Sequence, residues 1–288
     1  EYNRQDTALL AKLEKKLKFI ELANEIAHQN TVLLQTTMGA VAVTEQAIVN
    51  ETHRRGMIVP GRKYRDKNAE PMSAAGAYVA TPQKGIHDWI GSIDINSLYP
   101  SVIRALNMGP ETIVGQIRPI ITSAEINRAK HAKKSFAASW DGQFGSWEYQ
   151  AVMNQEKGTE VVIDWEDDTS VRMSAAQLYD LVFDGNNKWM LSANGTLFTY
   201  EYEAIIPGLL KRWYEERQEM QRKMRECGDN EIEREYWDKR QLVKKINLNS
   251  LYGAILNPGC RFFDMRIGQS VTLSGRCITK HMASKVNE

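Results

Sequence analysis

Eight consecutive residues, Asp94 to Ser101 (DINSLYPS), combine a carboxylate with polar and helix-starting residues. The aspartate lies in the β-branched run Ile90–Ile95, which predicts a strand, and Pro100 predicts the first turn of a following helix. Between them, successive backbone N–H groups of the turn can form an anion-binding nest. A carboxylate facing Mg²⁺ beside such a nest suits a nucleotide triphosphate. A lone aspartate at the end of a strand more often caps the following turn, so this stretch alone supports both interpretations.

A second stretch, Lys245 to Gly253 (KINLNSLYG), lies on a predicted helix. Steps of four, three and one residues place Lys245, Asn249, Tyr252 and Gly253 on one face of that helix. A cation, an amide, an aromatic ring and a glycine on one helical face suit a nucleotide lying along it. If the pattern stood alone, a solvated lysine and a half-buried tyrosine on an amphipathic helix would explain it equally well.

The elements that position these stretches follow from hydrophobic spacing and turn residues. We expect a helix over 7–29, a second over 44–55, a surface loop over 56–76, and strand-like runs at 76–80 and 90–95. Residues 121–203 carry short apolar runs separated by turn pairs such as Asn194-Gly195, which predicts a small inserted antiparallel sheet.

Two long helices are predicted after this sheet. Pro207 begins a helix over 208–226 that Gly228 ends, and Asp229 or Asn230 caps a second helix that runs to about 254. The pair forms an antiparallel hairpin in this interpretation, and the second stretch lies near the end of its second helix.

The composition excludes several classes of protein. The 288 residues include 37 Lys and Arg, 36 Asp and Glu, and 42% hydrophobic residues, which is typical of a globular protein with a substantial core. No apolar run approaches the ~20 residues needed to span a bilayer, so no membrane partner is expected. Three cysteines at irregular spacing predict neither a disulfide framework nor a zinc site.

Together, the two stretches resemble motifs A and B of the family B DNA polymerases, D-x-x-S-L-Y-P-S and K-x-x-x-N-S-x-Y-G, in the family's order. Tyr2–Asp6 is similar to the Y-x-x-x-D motif of the family's proofreading exonuclease, and Ala204–Pro207 to its G-I-I-P segment. Three further segments resemble the T-even-type phage replicative polymerases in particular: Pro110–Ile113, Ser192–Phe198 and Phe263–Arg266.

The resemblance implies an α+β fold, in which an antiparallel palm sheet with helices is joined to two-helix antiparallel fingers. The implied domains are 1–18 for the end of the 3′–5′ exonuclease domain, 19–61 for the segment returning through the N-terminal domain, 62–203 for the palm with an insertion at about 121–200, 204–256 for the fingers, and 257–288 for the palm again, before motif C.

The implied reaction is template-directed attack of a primer 3′-hydroxyl on the α-phosphate of a deoxynucleotide, with two Mg²⁺ ions as cofactors. By this resemblance Asp94 and Lys245 are catalytic, and Asp94 and the Ile95 carbonyl bind metal. Tyr99 packs under the deoxyribose and excludes a 2′-hydroxyl. The implied nucleotide-binding residues are Ser97, Leu98, Tyr99, Arg217, Lys245, Asn249 and Tyr252, and the implied exonuclease remnant is Tyr2 and Asp6.

The sequence departs from the family pattern in three places. Motif C, an aspartate pair flanked by Gly and Ser, is absent, so this chain alone is expected to be inactive; Glu166-Asp167-Asp168 precedes motif B and predicts a solvated loop instead. The family's Y-x-G-[GA] motif occurs as Ala74–Ala77 without its tyrosine. Of two basic positions on the first fingers helix, Arg217 fits one, while Gln221 occupies the other, with Arg222 and Lys223 as alternative cations.

The expected partners are primer–template DNA, a deoxynucleoside triphosphate, the remainder of the polymerase chain and, through residues beyond this sequence, a sliding clamp. The expected location is the cytoplasm, that of the host if a phage encodes the protein. Because the sequence lacks an initiator Met and ends within a predicted helix, we expect a piece of a longer polypeptide or one half of a split polymerase. A non-catalytic nucleotide- or DNA-binding module remains an alternative, whereas one exonuclease motif of three argues against a nuclease.

Overall fold

The computed structural model describes residues 2–62 and 74–287, which divide into two compact units. The first unit comprises residues 1–64 and 209–263, and the second comprises 65–208 and 264–288. The α-helices are α1 (Tyr2–Leu17), α2 (Phe19–Asn30), α3 (Ala40–Arg54), α4 (Leu98–Ala105), α5 (Ile120–His131), α6 (Phe136–Ser139), α7 (Trp147–Met153), α8 (Ala175–Tyr179), α9 (Ile205–Glu226), α10 (Glu231–Ile255) and α11 (Met265–Asn287). The strands are β1 (Ile113–Ile117), β2 (Glu160–Trp165), β3 (Ser170–Ser174), β4 (Trp189–Leu191) and β5 (Thr196–Thr199).

The first unit is helical, and α10 packs against α2 and α3. The predicted helix over 7–29 is wrong in one respect: Lys18, with a left-handed φ of 53°, separates α1 from α2. The Lys18 ammonium forms an ion pair with Glu235 of α10, a tertiary contact that local hydrophobic spacing does not register. The second predicted helix is confirmed as α3, and the helix pair at 208–254 is confirmed as α9 and α10, with Asn230 as the N-cap of α10.

A buried carboxylate organises the centre of this unit. Glu51 of α3 has a side chain only 1% exposed, and it accepts hydrogen bonds from Arg54 (2.6 Å), Arg55 (2.9 Å) and Arg212 of α9. Burial alone would raise the pKa of Glu51, but the three guanidinium groups outweigh that effect and hold the pKa at about 2. The ionised carboxylate therefore joins α3 to α9.

The second unit is built on a five-stranded antiparallel sheet in the order β3-β2-β1-β5-β4. One face of the sheet packs on α7 and α8 through a fully buried core that includes Ile163, Leu178 and Leu197. The α+β class is confirmed. The sheet predicted within 121–203 also takes in β1, as its central strand. The sequence does not predict β1, because Gly115 interrupts the apolar pattern of this strand. A Cβ at Gly115 would lie 2.9 Å from the Trp165 ring.

The strand-like runs at 76–80 and 90–95 form no strand in the part of the chain that the structure describes, so these two predictions are wrong for this structure. A strand exists only when a neighbouring backbone pairs with it. Trp89, Ile90 and Ile93 are 102%, 77% and 61% exposed, which shows that the apolar side chains of this run have no core to pack against here. The described parts of the predicted loop, 56–62 and 74–76, have no helix or strand; residues 63–73 lie outside the described ranges.

No helix among residues 2–62 and 74–287 is long and apolar enough to cross a membrane.

Replacing Glu51 by glutamine tests the electrostatic centre of the first unit. Glu51→Gln keeps the shape but removes the charge, so at pH 7 we expect the free energy of unfolding to fall by on the order of 3 kcal/mol. Because the pKa of Glu51 lies below its ordinary value of 4.5, its contribution is complete above about pH 5 and is lost as the pH falls further. The difference between wild type and variant should therefore shrink towards pH 2.

Urea titrations at several pH values measure this difference. Glu219→Gln is the matched control, because the Glu219–Arg222 pair lies in α9 with side chains 45% and 53% exposed, and surface pairs contribute little to stability. A Glu51→Gln variant no less stable at pH 7 than Glu219→Gln would contradict the assignment.

Candidate functional site

The first stretch with catalytic potential occupies a turn and the start of α4. Asp94 is exposed and lies in extended, irregular backbone, Asn96 and Ser97 form a turn, and α4 begins at Leu98. Ser97 has a left-handed backbone (φ 53°, ψ 50°), and the Ser101 N–H donates to its carbonyl at 2.9 Å. The carboxylate therefore precedes a closed turn, as the sequence predicts, but it extends from irregular backbone and not from a strand.

The turn presents backbone donors at the start of α4. The first N–H groups of a helix have no acceptor within the helix, and Pro100, the third residue of α4, has no N–H to offer. The amides of Leu98 and Tyr99 are thus the donors of the first turn, directly after the left-handed Ser97. Successive N–H groups in this arrangement, with the positive end of the helix dipole, attract an anion.

Helix α4 is held in place by its buried face and by α11. Val102 and Ile103 of α4 are 2% and 0% exposed, and α4 packs along α11. Tyr99 is half-buried, and this burial raises the pKa of its phenol. The hydroxyl therefore stays protonated at neutral pH. Because it is half-buried, the ring occupies a defined place on the first turn.

Helix α11 is itself fixed by polar side chains that enter the core. The Arg276 guanidinium, 6% exposed, donates to the backbone carbonyls of Gly76 (3.2 Å), Trp140 (2.7 Å) and Gln143. Ser274 Oγ accepts from the Ala193 N–H at 3.2 Å. The Ala74–Ala77 segment, which replaces the Y-x-G-[GA] pattern, thus meets α11 through its Gly76 carbonyl.

The loop between β4 and β5 forms a third anchor for α11. Ser270 Oγ donates to Asn194 Oδ1 at 2.7 Å, and Asn194 Nδ2 donates to the Arg266 carbonyl at 2.9 Å. The sequence singled out Asn194 as part of a turn pair and Arg266 only by resemblance, and it did not single out Ser270. Gly275 and Arg276 belong to no motif in the sequence. The signal that the sequence does contain is a glycine inside an apolar helical run, which indicates close approach of another element.

The second stretch lies near the end of α10, in the first unit. Lys245, Asn249 and Gly253 are exposed and Tyr252 is half-buried, whereas Leu248 and Leu251 on the opposite face are 2% and 0% exposed. The predicted shared face of these four residues is therefore present as a surface of α10.

On α9, Arg217 Nε donates to Gln241 Oε1 of α10 at 3.2 Å, and Gln221 Nε2 donates to the same oxygen at 3.5 Å. Arg217 and Gln221 thus share one side of α9. The two alternative cations lie elsewhere: Arg222 pairs with Glu219 and Glu226, and the Lys223 ammonium lies 4.5 Å from the centre of the Trp237 ring.

The remaining predicted residues are placed as follows. Glu166, Asp167 and Asp168 form the exposed turn between β2 and β3, where Asp167 accepts hydrogen bonds from the Thr169 N–H (3.0 Å) and hydroxyl (2.6 Å) and its pKa is lowered by these bonds. The solvated loop predicted there is confirmed. Tyr2 and Asp6 lie one turn apart on the exposed helix α1.

The structure thus brings Asp94, Ile95, Ser97, Leu98 and Tyr99 together in the second unit, and places Arg217, Lys245, Asn249 and Tyr252 in the first. Among the residues described, no three His, Cys, Asp or Glu side chains are grouped so as to hold a metal ion. The Asp94 carboxylate and the Ile95 carbonyl are oxygen donors of the kind that Mg²⁺ prefers.

Comparison with known proteins gives relatives over the whole chain. The DNA-directed DNA polymerase of Escherichia phage RB69 is 23% identical over 100% of this chain, and that of Enterobacteria phage T4 is 24% identical over 100%. The chain spans 31% of the length of each. A DNA polymerase of Pyrococcus glycovorans is 26% identical over 85% of the chain, which covers 23% of that protein.

A solved structure and a family model agree with these relatives. The family B DNA polymerase of the archaeon Pyrobaculum calidifontis matches 96% of this chain with a TM-score of 0.58 and 17% identity, over 27% of its own chain, which supports the fold. The model of DNA polymerase family B matches residues 30–288. This match covers most of the sequence and includes both stretches, Asp94 to Ser101 and Lys245 to Gly253, and the chain therefore belongs to DNA polymerase family B.

Proposed function

We propose that this chain carries part of the active site for template-directed DNA synthesis by a family B replicative polymerase, namely nucleotidyl transfer to a primer 3′-hydroxyl. The observation that carries the proposal is the closed turn at Asn96 and Ser97, which sets the exposed Asp94 carboxylate directly before the backbone donors of α4. A nucleoside triphosphate requires an oxygen donor for its metal and N–H groups for its phosphates. Both occur within six residues of sequence.

In this proposal the triphosphate tail lies against the N–H groups of Ser97, Leu98 and Tyr99. Those donors are fixed before the nucleotide arrives, because α4 is anchored through its buried residues. Fixed dipoles need no reorganisation as charge develops, which is the main source of electrostatic catalysis. The ring of Tyr99, on the same turn, closes the space beneath the deoxyribose.

Helices α9 and α10 supply the complementary charges in this proposal. Lys245 and Arg217 neutralise phosphate oxygens, with Lys245 acting at the leaving side, while Asn249 lies near the triphosphate and sugar and Tyr252 meets the nascent base pair. Arg217 is held by Gln241 at 3.2 Å, so its guanidinium is oriented in advance. Gln221 bonds to the same glutamine and positions this pair without adding charge.

The family generally uses divalent metal ions, and the donors present fit part of such a site. Asp94 and the Ile95 carbonyl would hold Mg²⁺, and two ions would neutralise the oxygens at which bonds form and break. A two-metal site needs a further carboxylate, and motif C, which supplies it in the family, is absent from this sequence. We therefore propose that this chain acts with the remainder of a polymerase chain and is inactive alone.

We also propose the domain division on the compact units. The second unit would correspond to most of the palm (62–203 and 257–288, with an insertion at about 121–200), although 257–263 fall in the first unit. The first unit would combine the exonuclease end (1–18), the returning segment (19–61) and most of the fingers (204–256), of which 204–208 fall in the second unit. Tyr2 and Asp6 would belong to the exonuclease. The partners would be primer–template DNA, a deoxynucleotide and a sliding clamp. The protein would act in the cytoplasm.

Asp94→Asn in a polymerase with a complete palm tests the proposal. The amide keeps the shape and removes the anionic metal ligand, so primer extension should fall by on the order of 10³-fold or more, while primer–template affinity stays within about twofold. Single-turnover extension and a DNA-binding titration measure the two quantities.

The matched control for this variant is Asp88→Asn, an exposed aspartate in the same irregular segment but outside the motif. It should extend primers at the wild-type rate. Near-normal turnover by Asp94→Asn, or an equal loss in both variants, would remove Asp94 from the site.

Tyr99→Ala tests the role of the ring. If Tyr99 excludes a 2′-hydroxyl, its removal should raise the ratio of ribonucleotide to deoxynucleotide kcat/KM by about tenfold or more, with little loss of deoxynucleotide use. A structural role instead predicts a loss of about 3–5 kcal/mol of stability and equal inactivity towards both sugars. Steady-state kinetics with both nucleotides and a thermal melt distinguish the two results.

A further inference from the structure

We propose that Gly275 of α11 is a positioning residue for sugar selection: it sets the depth at which the Tyr99 ring lies. The proposal rests on the role of Tyr99 given under the proposed function. It concerns a residue that touches neither nucleotide nor metal and acts only through the tyrosine.

The contact between α11 and the ring is made at the position of the missing side chain. A Cβ placed on Gly275 would lie 3.4 Å from Cε1 and 3.8 Å from Cδ1 of Tyr99, and 3.8 Å from Cδ2 of Leu98. The first two residues of α4 therefore rest on the helix backbone at Gly275. Glycine within a helix costs about 1 kcal/mol relative to alanine, and close approach of another element is the ordinary reason for it.

Helix α11 cannot move away to accommodate a larger side chain. The residue after Gly275, Arg276, is tied to three backbone carbonyls, and the residue before it, Ser274, accepts from the Ala193 N–H. One turn earlier, Ser270 is bonded to Asn194. With anchors on both sides, volume added at position 275 presses first on the Tyr99 ring, whose Cε1 is the nearest atom.

Helix α4 cannot move as a whole either, because Val102 and Ile103 are buried. The half-buried Tyr99 ring, at the start of α4, is the group that lies nearest to a side chain added at position 275. An alanine Cβ makes an ordinary contact at 3.4 Å. A further methyl or hydroxyl group extends about 1.5 Å beyond Cβ, so one that faces the ring displaces it from α11 towards the deoxyribose.

The displaced ring narrows the space beneath the sugar. Gly275→Val should therefore raise the KM for deoxynucleotides by about tenfold while kcat changes less, because no group that acts in the reaction is altered. The ribonucleotide-to-deoxynucleotide ratio of kcat/KM should fall or stay at its low wild-type value, opposite to the effect of Tyr99→Ala. Gly275→Ala should lie close to wild type, and Gly275→Ser between the two.

A double-mutant cycle in the complete polymerase tests this chain of contacts. The variants are Gly275→Val, Tyr99→Ala and the double variant, each measured for kcat and KM with deoxynucleotides and ribonucleotides. If Gly275 acts through the ring, adding Gly275→Val to Tyr99→Ala should change the deoxynucleotide KM by less than about twofold, because coupled residues are not additive. Ser284→Val, at an exposed position of α11, is the control and should match wild type.

The results separate failure of this inference from failure of the proposed function. Suppose that Tyr99→Ala raises ribonucleotide use, but that Gly275→Val raises the deoxynucleotide KM equally in the wild-type and Tyr99→Ala backgrounds. Gly275 then does not act through Tyr99, and the inference is wrong. If Tyr99→Ala leaves the sugar ratio unchanged in a stable protein, the sugar-gate function fails and the positioning role fails with it. If Gly275→Val lowers the melting temperature more than Ser284→Val, its kinetic effect could come from lost stability. The same cycle is then run with Gly275→Ser, and its coupling to Tyr99→Ala in the deoxynucleotide KM tests whether Gly275 acts through the ring.

Discussion

A buried guanidinium is the constraint on which the second unit depends. A buried cation is costly unless it finds hydrogen-bond acceptors. The two terminal nitrogens of Arg276 donate to the carbonyls of Gly76, Trp140 and Gln143, while its buried Nε has no acceptor among the described residues. These carbonyls come from segments far apart in sequence, so α11 must lie where they converge. Helix α4 then packs on α11, and the turn that bears Asp94 precedes α4. The position of the Asp94 turn thus follows from where one arginine can be buried.

The first unit uses the opposite charge in the same way. Glu51 is ionised at a position that is 1% exposed because three arginines surround it, and Glu45, also buried, accepts from Arg62 and Arg261. Burial opposes the ionisation of Glu45, and the hydrogen bonds from the two arginines nonetheless keep its pKa lowered. Each carboxylate joins segments that are distant in sequence: Glu51 joins α3 to α9, and Glu45 joins α3 to Arg261, which follows α10.

The sequence predicts what local chemistry decides. The α4 turn, the shared face of Lys245, Asn249 and Tyr252, and the helices α3, α9 and α10 follow from spacing, capping and Pro or Gly positions. The break at Lys18 accompanies an ion pair to Glu235 of another helix, β1 contains a glycine where Trp165 comes close, and the run 90–95 lacks a pairing partner. These three features arise from tertiary contacts, which periodicity cannot register. Gly275 and Arg276 belong to the same class, since their significance appears only when α11 meets α4.

Amide hydrogen exchange in an Arg276→Lys variant tests most directly whether α4 is positioned through α11. Lysine keeps the charge but loses the planar fork that reaches several carbonyls at once. The account predicts that exchange of the hydrogen-bonded amides in α11 and α4, such as that of Leu106, accelerates by about tenfold or more. Exchange in α3 and α10, in the other unit, should be unchanged. Faster exchange in α11 with α4 protected as in wild type would contradict the account.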